Sequence, residues 1–241
     1  MSQFIKPEKV DAMLWDFDGT LANSAAKNIT ITKQILARVA PHLTGEGLPR
    51  FLQSEAEYHF ANHNADHWRE LYSDFFGLTT AEIDAAAPLW ETYQMADNTE
   101  VRLFDGVRET VQQFAHLPQG ICSANVSHHI RQVLTDHGII SAFQSVVGYE
   151  DLPRQHQKPA PDGGLKCLQE LFGAIHDKTI VFVGDHIADV LFARGLSERL
   201  DTSNKVISVV ITHSGANPKQ WREQPDVIVE KPSDLADCFM T

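Results

Sequence analysis

Short apolar runs alternate with helix-like segments through the later part of this chain, and that rhythm restricts its fold more than any other feature. A helix is expected from about Val107 to Ala115, a strand over Gly120-Ile121-Cys122, and a helix from Ser127 to His137 that Gly138 stops. A short strand follows at Val146-Val147, then a helix from Gly164 to Phe172 and the strong strand Thr179-Ile-Val-Phe-Val183. A helix from Ala188 to Leu196 and strands at 206–211 and 227–229 complete the series. Strands joined through helices run parallel, so an α/β core built on a parallel sheet is expected.

The earlier part breaks the rhythm. Asn23 or Ser24 can cap a helix through Ile29, Ile31, Ile35, Leu36 and Val39 that stops before Pro41. Gly45, Gly47 and Pro49 make 42–50 a loop, and helical stretches follow at about 51–76 and 80–97, parted at Gly77. No strand pattern occurs there. The expected organisation is an α/β core of residues 1–21 and 100–241, with an all-helical domain, 22–99, inserted between its parts.

The first strand leads into the chemistry. Met13-Leu-Trp15 runs into Asp16-Phe17-Asp18-Gly19-Thr20, and side chains alternate along a strand, so Asp16 and Asp18 project to one side. Gly19 lets the backbone turn sharply beside them. Neighbouring carboxylates repel, so the pair implies either a bound cation or a nucleophile next to a general acid.

Those five residues match the first signature of the haloacid dehalogenase superfamily without a substitution, and on them the chain resembles a hydrolase of that group. The resemblance implies a Rossmann-like parallel-sheet core. Asp16 would take up a phosphoryl group, Asp18 would protonate the leaving oxygen and later activate water, and Mg2+ would bind between substrate and carboxylates. It also implies that the inserted helical domain is the cap that such proteins place over their active site. Thr20 joins the expected phosphate contacts.

Ligands of open parallel sheets bind beyond the carboxyl ends of the strands, and three later stations fall at such ends. Ser123, with Ala124 and Asn125, is expected to hold phosphoryl oxygens through its hydroxyl and nearby N–H groups. The family usually sets Asn directly after this Ser or Thr, whereas here Ala124 intervenes. The plainer reading is a serine capping an ordinary helix. Lys158 lies in Gln157-Lys-Pro-Ala-Pro161, which resembles the family's Lys-Pro station. It would stabilise charge on the nucleophile and the phosphoryl oxygens, the alternative being a solvated loop lysine. Val183-Gly-Asp-His-Ile-Ala-Asp189 sets Asp185 at a strand end and Asp189 one helical turn on. Asp16, Asp185 and the Asp18 carbonyl would suffice for Mg2+. Asp189 is either a further ligand or the partner that orients Lys158, while an ordinary N-cap is the plain reading of Asp185.

Position 18 discriminates among the reactions of the superfamily. Family dehalogenases and phosphonatases of this layout lack a second aspartate, so Asp18 favours phosphate-ester chemistry. The expected activity is hydrolysis of a small phosphate monoester, phosphoglycolate- or sugar-phosphate-like. A phosphosugar mutase, or a non-catalytic protein holding metal or a partner in the same cleft, is the rival.

A formal charge of -12 across 241 residues, with no basic run, disfavours nucleic acid and anionic membranes as partners. Cys122, Cys167 and Cys238 form an odd set without metal-type spacing, which suits a reducing cytoplasm. Met1–Lys9 is too polar for a signal peptide, and no apolar stretch approaches the ~20 residues that span a bilayer.

In the helical domain, His59, His63 and His67 recur every fourth residue and would form one helical stripe. An exposed face is the expected role, with metal or substrate binding as alternatives. Arg50, Trp68, Arg69 and Tyr72 are further substrate-facing candidates, although aromatic residues at this spacing often fill a domain's own core. Of His128, His129, His186 and His213, all near strand ends, His186 is the one expected to line the pocket.

Overall fold

A computed structural model describes residues 6, 7 and 9–240. The opening segment Met1–Lys9 lies largely outside these described residues. All four residues of β1 (Ala12–Trp15) are buried, as a strand covered on both faces requires. The chain turns at Gly19 and passes through β2 (Ala22–Asn23) into a run of helices. These are α1 (Ala25–Val39), α2 (Glu55–Asn64), the short α3 (Trp68–Glu70), α4 (Thr80–Ala86) and α5 (Trp90–Ala96), linked by 3-10 and π turns. The chain returns through β3 (Arg102–Leu103), which pairs with β2.

The alternating part follows: α6 (Val107–Gln113), β4 (Gln119–Cys122), α7 (Ser127–Asp136), β5 (Ser145–Val147) and α8 (Asp162–Phe172). After these come β6 (Thr179–Gly184), α9 (Ile187–Arg199), β7 (Lys205–Ile211), β8 (Val227–Val229) and α10 (Asp234–Phe239). Six strands form one sheet in the order β5-β4-β1-β6-β7-β8, and every pairing in it is parallel. This is the expected Rossmann-like core. Leu14, Ile180 and Phe182 of the sheet pack with Leu168 of α8 and with Phe192 and Leu196 of α9. Burying one such aromatic ring stabilises the fold by about 2–3 kcal/mol.

The chain divides into two compact units, one made of the segments before Asn23 and after Arg102, the other of Asn23–Arg102. The sequence puts the second at 22–99. Its helices enclose a core of their own that includes Ile31, Ile35, Leu36, Leu52, Phe76 and Ile83. Lys27 is buried beside that core and pairs with Asp97 at 3.4 Å. No helix among the described residues is long and apolar enough to cross a membrane.

Three expectations about the helical unit need correction. Residues 51–76 do not form one continuous stretch. α2 stops at Asn64, the backbone is extended at Ala65 and His67, and a π turn covers Leu71–Phe75. Local acceptors explain the break: the Asp66 N–H donates to Glu70 and the Glu70 N–H to His67 Nδ1, starting a new helix. The histidine stripe therefore keeps two of its three members, His59 and His63 on α2, and loses His67. His63 is buried rather than exposed and stacks on His59, while His67 caps α3. The 80–97 stretch is likewise interrupted at Ala87–Leu89, where Pro88 lacks the N–H that a continuous helix needs. Asn23, not the Ser24 side chain, bonds the first turn of α1, accepting from the Ala25 N–H at 3.3 Å.

Candidate active site

The register of the sheet assembles the site. Trp15 is level with Ile121 of β4 and with Val183 of β6, so Asp16 leaves the central strand beside the ends of both neighbours. Its N–H donates to the Val183 carbonyl at 2.8 Å. Ser123 and Asp185 emerge from β4 and β6 at the same level, and the loop after β5 delivers Lys158.

Lys158 joins these stations. Its ammonium donates to Asp16 Oδ1 at 2.7 Å, to the Cys122 carbonyl at 3.2 Å and to Asp189 Oδ1, so its three protons meet three acceptors. The Phe182 and Phe192 rings lie under the same ammonium, at 5.1 and 5.5 Å. With 9% of its side chain exposed, Lys158 is not a solvated loop lysine. Burial alone would lower its pKa, but the charges of Asp16 and Asp189 hold it above the ordinary lysine range.

Asp189 has both oxygens engaged. Oδ1 meets Lys158, and Oδ2 accepts the N–H groups of Asp185 and His186 at 3.1 and 2.9 Å. It thereby closes a capping box at the start of α9, with His186 at the N-cap. Of the two roles open to it from sequence, this geometry suits the partner of Lys158. His186 spends its Nδ1 on the Ala188 N–H. A Cβ on Gly184 would lie 2.3 Å from the Asp189 carboxyl carbon, so the close approach requires glycine.

Asp185 precedes that cap and is not itself one. Its Oδ2 accepts the Ser214 hydroxyl at 2.8 Å, and the Thr20 hydroxyl, expected on the phosphate, lies 3.4 Å from Oδ1. Gly19 has φ +80°, and a Cβ there would fall 2.1 Å from Asp185 Oδ2. Asp18 Oδ2 accepts from Asn125 Nδ2 at 2.8 Å. Asn125 also takes the Val126 N–H on its Oδ1, and its own N–H donates to Ser123 Oγ. Because Val126 is the N-cap of α7, Ser123 is not an ordinary helix cap. Ser123 and Asn125 are buried and Ala124, between them, is exposed.

Carboxylates outnumber cations here. Ligand atoms of Asp16, Asp185 and Asp189 lie within 4.8 Å of one another, all three residues buried. Burial, then the charges of Asp189 and Asp185, push Asp16 well above the usual carboxylate range against the pull of Lys158. A divalent cation would offset both effects. An all-oxygen donor set of this kind fits Mg2+.

A family model described as Haloacid dehalogenase-like hydrolase matches residues 13–197. The chain belongs to this family. Among haloacid dehalogenase-like hydrolases and their relatives, it is 28% identical over 190 residues to a phosphoglycolate phosphatase of Nitrosococcus oceani, covering 76% of this chain and 79% of the relative. It is 24% identical over 240 residues to an N-acetylmuramic acid 6-phosphate phosphatase of Pseudomonas aeruginosa, covering 98% and 97%. The fold resembles that of a haloacid dehalogenase-like family hydrolase from Streptococcus pneumoniae, with TM-score 0.69 and 19% identity over 95% of this chain and 97% of that one. The matched family span includes every acidic station and Lys158, but it stops before two residues of the site. His213 Nε2 lies 3.0 Å from the Gly19 carbonyl, and Ser214 meets Asp185. Sequence reasoning named His213 without a role and missed Ser214. Both follow the carboxyl end of β7, the signal that would have found them.

Proposed function

We propose that this haloacid dehalogenase-like hydrolase is a Mg2+-dependent phosphatase that acts on a small phosphate monoester through an aspartyl-phosphate at Asp16. The observation that carries the reading is the unequal setting of the two Asp16 oxygens. Oδ1 is held by Lys158, whereas Oδ2 accepts no hydrogen bond from the described residues. An attacking oxygen must keep its lone pair for phosphorus, while its partner has to be fixed for the approach to be in line.

In the proposed course Asp16 Oδ2 attacks phosphorus and the ester oxygen leaves with a proton from Asp18, steadied by Asn125. Lys158 and Ser123 meet the charge that develops on the phosphoryl oxygens. Asp18, now ionised, takes a proton from water; the resulting attack breaks the acyl-phosphate, releases inorganic phosphate and restores Asp16. Mg2+, held by Asp16, Asp185 and the Asp18 carbonyl, would neutralise phosphoryl charge and so reduce repulsion of the nucleophile. The helical unit is assigned the role of cap. A charge of -12 with no basic run favours small metabolites over nucleic acid or membrane, and three cysteines without metal-type spacing suit a cytoplasmic setting.

The test is phosphate release from phosphoglycolate, N-acetylmuramic acid 6-phosphate, other sugar phosphates and nucleotides, each with Mg2+ and with chelator. Metal-dependent release from one class is the expected result. Release that persists in chelator would remove Mg2+ from the reading, and conversion of a sugar phosphate to an isomer without free phosphate would replace hydrolysis with transfer.

A further inference from the structure

We propose that Ser214 is a positioning residue for this reaction, its hydroxyl fixing the Asp185 carboxylate in the orientation that receives the cation. The inference deepens the Mg2+ phosphatase reading and rests on it. Ser214 is buried, and its Oγ donates to Asp185 Oδ2 at 2.8 Å from 29 residues away. A hydroxyl out of water costs free energy unless it is bonded, and a bond to an ionised carboxylate is among the stronger ways to satisfy it.

The segment that brings this hydroxyl is itself held on several sides. The Thr212 N–H donates to the Val229 carbonyl at 3.0 Å, and the Gly215 N–H closes a turn onto the Thr212 carbonyl at 2.9 Å. His213 bonds the Gly19 carbonyl through Nε2, and its ring stacks on Phe104 with centroids 3.9 Å apart. One short loop thus grips the turn at Gly19 with one residue and Asp185 with the next. Asp185 in turn lies against the bare Cα of Gly19. Its carboxylate is set between that turn and the Ser214 hydroxyl, with the longer Thr20 contact at 3.4 Å as a weaker constraint. Partners that orient a metal-binding carboxylate typically change metal affinity by about 10–100-fold when removed.

Two variants test this, Ser214→Ala and the near-isosteric Ser214→Cys, whose thiol is a weak donor. Mg2+ binding to substrate-free protein is measured by calorimetric titration, with the thermal midpoint in chelator as the check on folding. The expected result is a Kd for Mg2+ raised about 10-fold in both variants, with midpoints in chelator close to wild type. In turnover assays the Mg2+ requirement rises while kcat at saturating Mg2+ largely recovers. Unchanged Mg2+ affinity in either folded variant overturns the role of Ser214 and leaves the phosphatase reading intact. Wild-type protein that binds no Mg2+ overturns the Mg2+ reading and this inference together.

Discussion

Asp16 is buried among acids and tied to one lysine, and single substitutions there separate chemistry from folding. Asp16→Asn keeps the side-chain shape but removes the charge of the proposed nucleophile, so kcat is expected to fall about 10^4-fold or more. Thermal stability in chelator should be retained, because the change removes a charge that burial and two neighbouring acids disfavour. Measurable turnover near the wild-type rate would refute the nucleophile assignment. Lys158→Met has the opposite character. It leaves Asp16 and Asp189 buried together without their cation, at a cost of about 3–5 kcal/mol. Denaturant titration should show that loss alongside lost activity.

Junctions between elements carry the next level of control. Gly184 ends β6 against the Asp189 carboxylate, so Gly184→Ala must displace a group that both starts α9 and holds Lys158. A loss of roughly 1–3 kcal/mol is expected, and the kcat measured at saturating Mg2+ should fall with it. In the helical unit, burial pushes Asp97 up, but bonds from Thr99 and the charge of Lys27 hold it below the ordinary 3.8. A depressed folded value means stabilisation present above the unfolded pKa and lost as pH falls through the folded one. Asp97→Asn should therefore cost about 1–3 kcal/mol near neutrality. The gap between the two melting curves should close in acid, below pH 3.8.

The sequence was most legible at this same level. Strands buried on both faces, such as 179–183, read as unbroken apolar runs, and Asp16 and Asp185 each directly follow one. The breaks in the helical unit were less legible because they arise from side chains bonding nearby N–H groups, as Glu70 and His67 do, which periodicity does not register. Two-residue strands such as β2 and β3 are too short to display any period. Ser214 was missed for a different reason: its place after the carboxyl end of β7 marks it as a candidate, but its partner, Asp185, is named only once β7 and β6 are known to be neighbours.

For the molecule as a whole, a formal charge of -12 makes any bound cation matter to stability. Ligand that binds only the folded state stabilises it by mass action, so Mg2+ at ten times its Kd should add about 1.4 kcal/mol. The melting temperature should rise with Mg2+ and return to baseline with chelator; Asp185→Asn should abolish most of that rise. A flat response in the wild type would argue against a cation among these acids.

The two short strands through which the chain leaves and re-enters the sheet-bearing unit pair with each other, so Asn23–Arg102 is a detour whose ends meet. Such a loop of chain is an interchangeable module. It can lengthen, shorten or be rewritten by descent without shifting the register of any strand that carries an acid or leads to the lysine. The insert and the acid-bearing strands are therefore separable in the order of the chain.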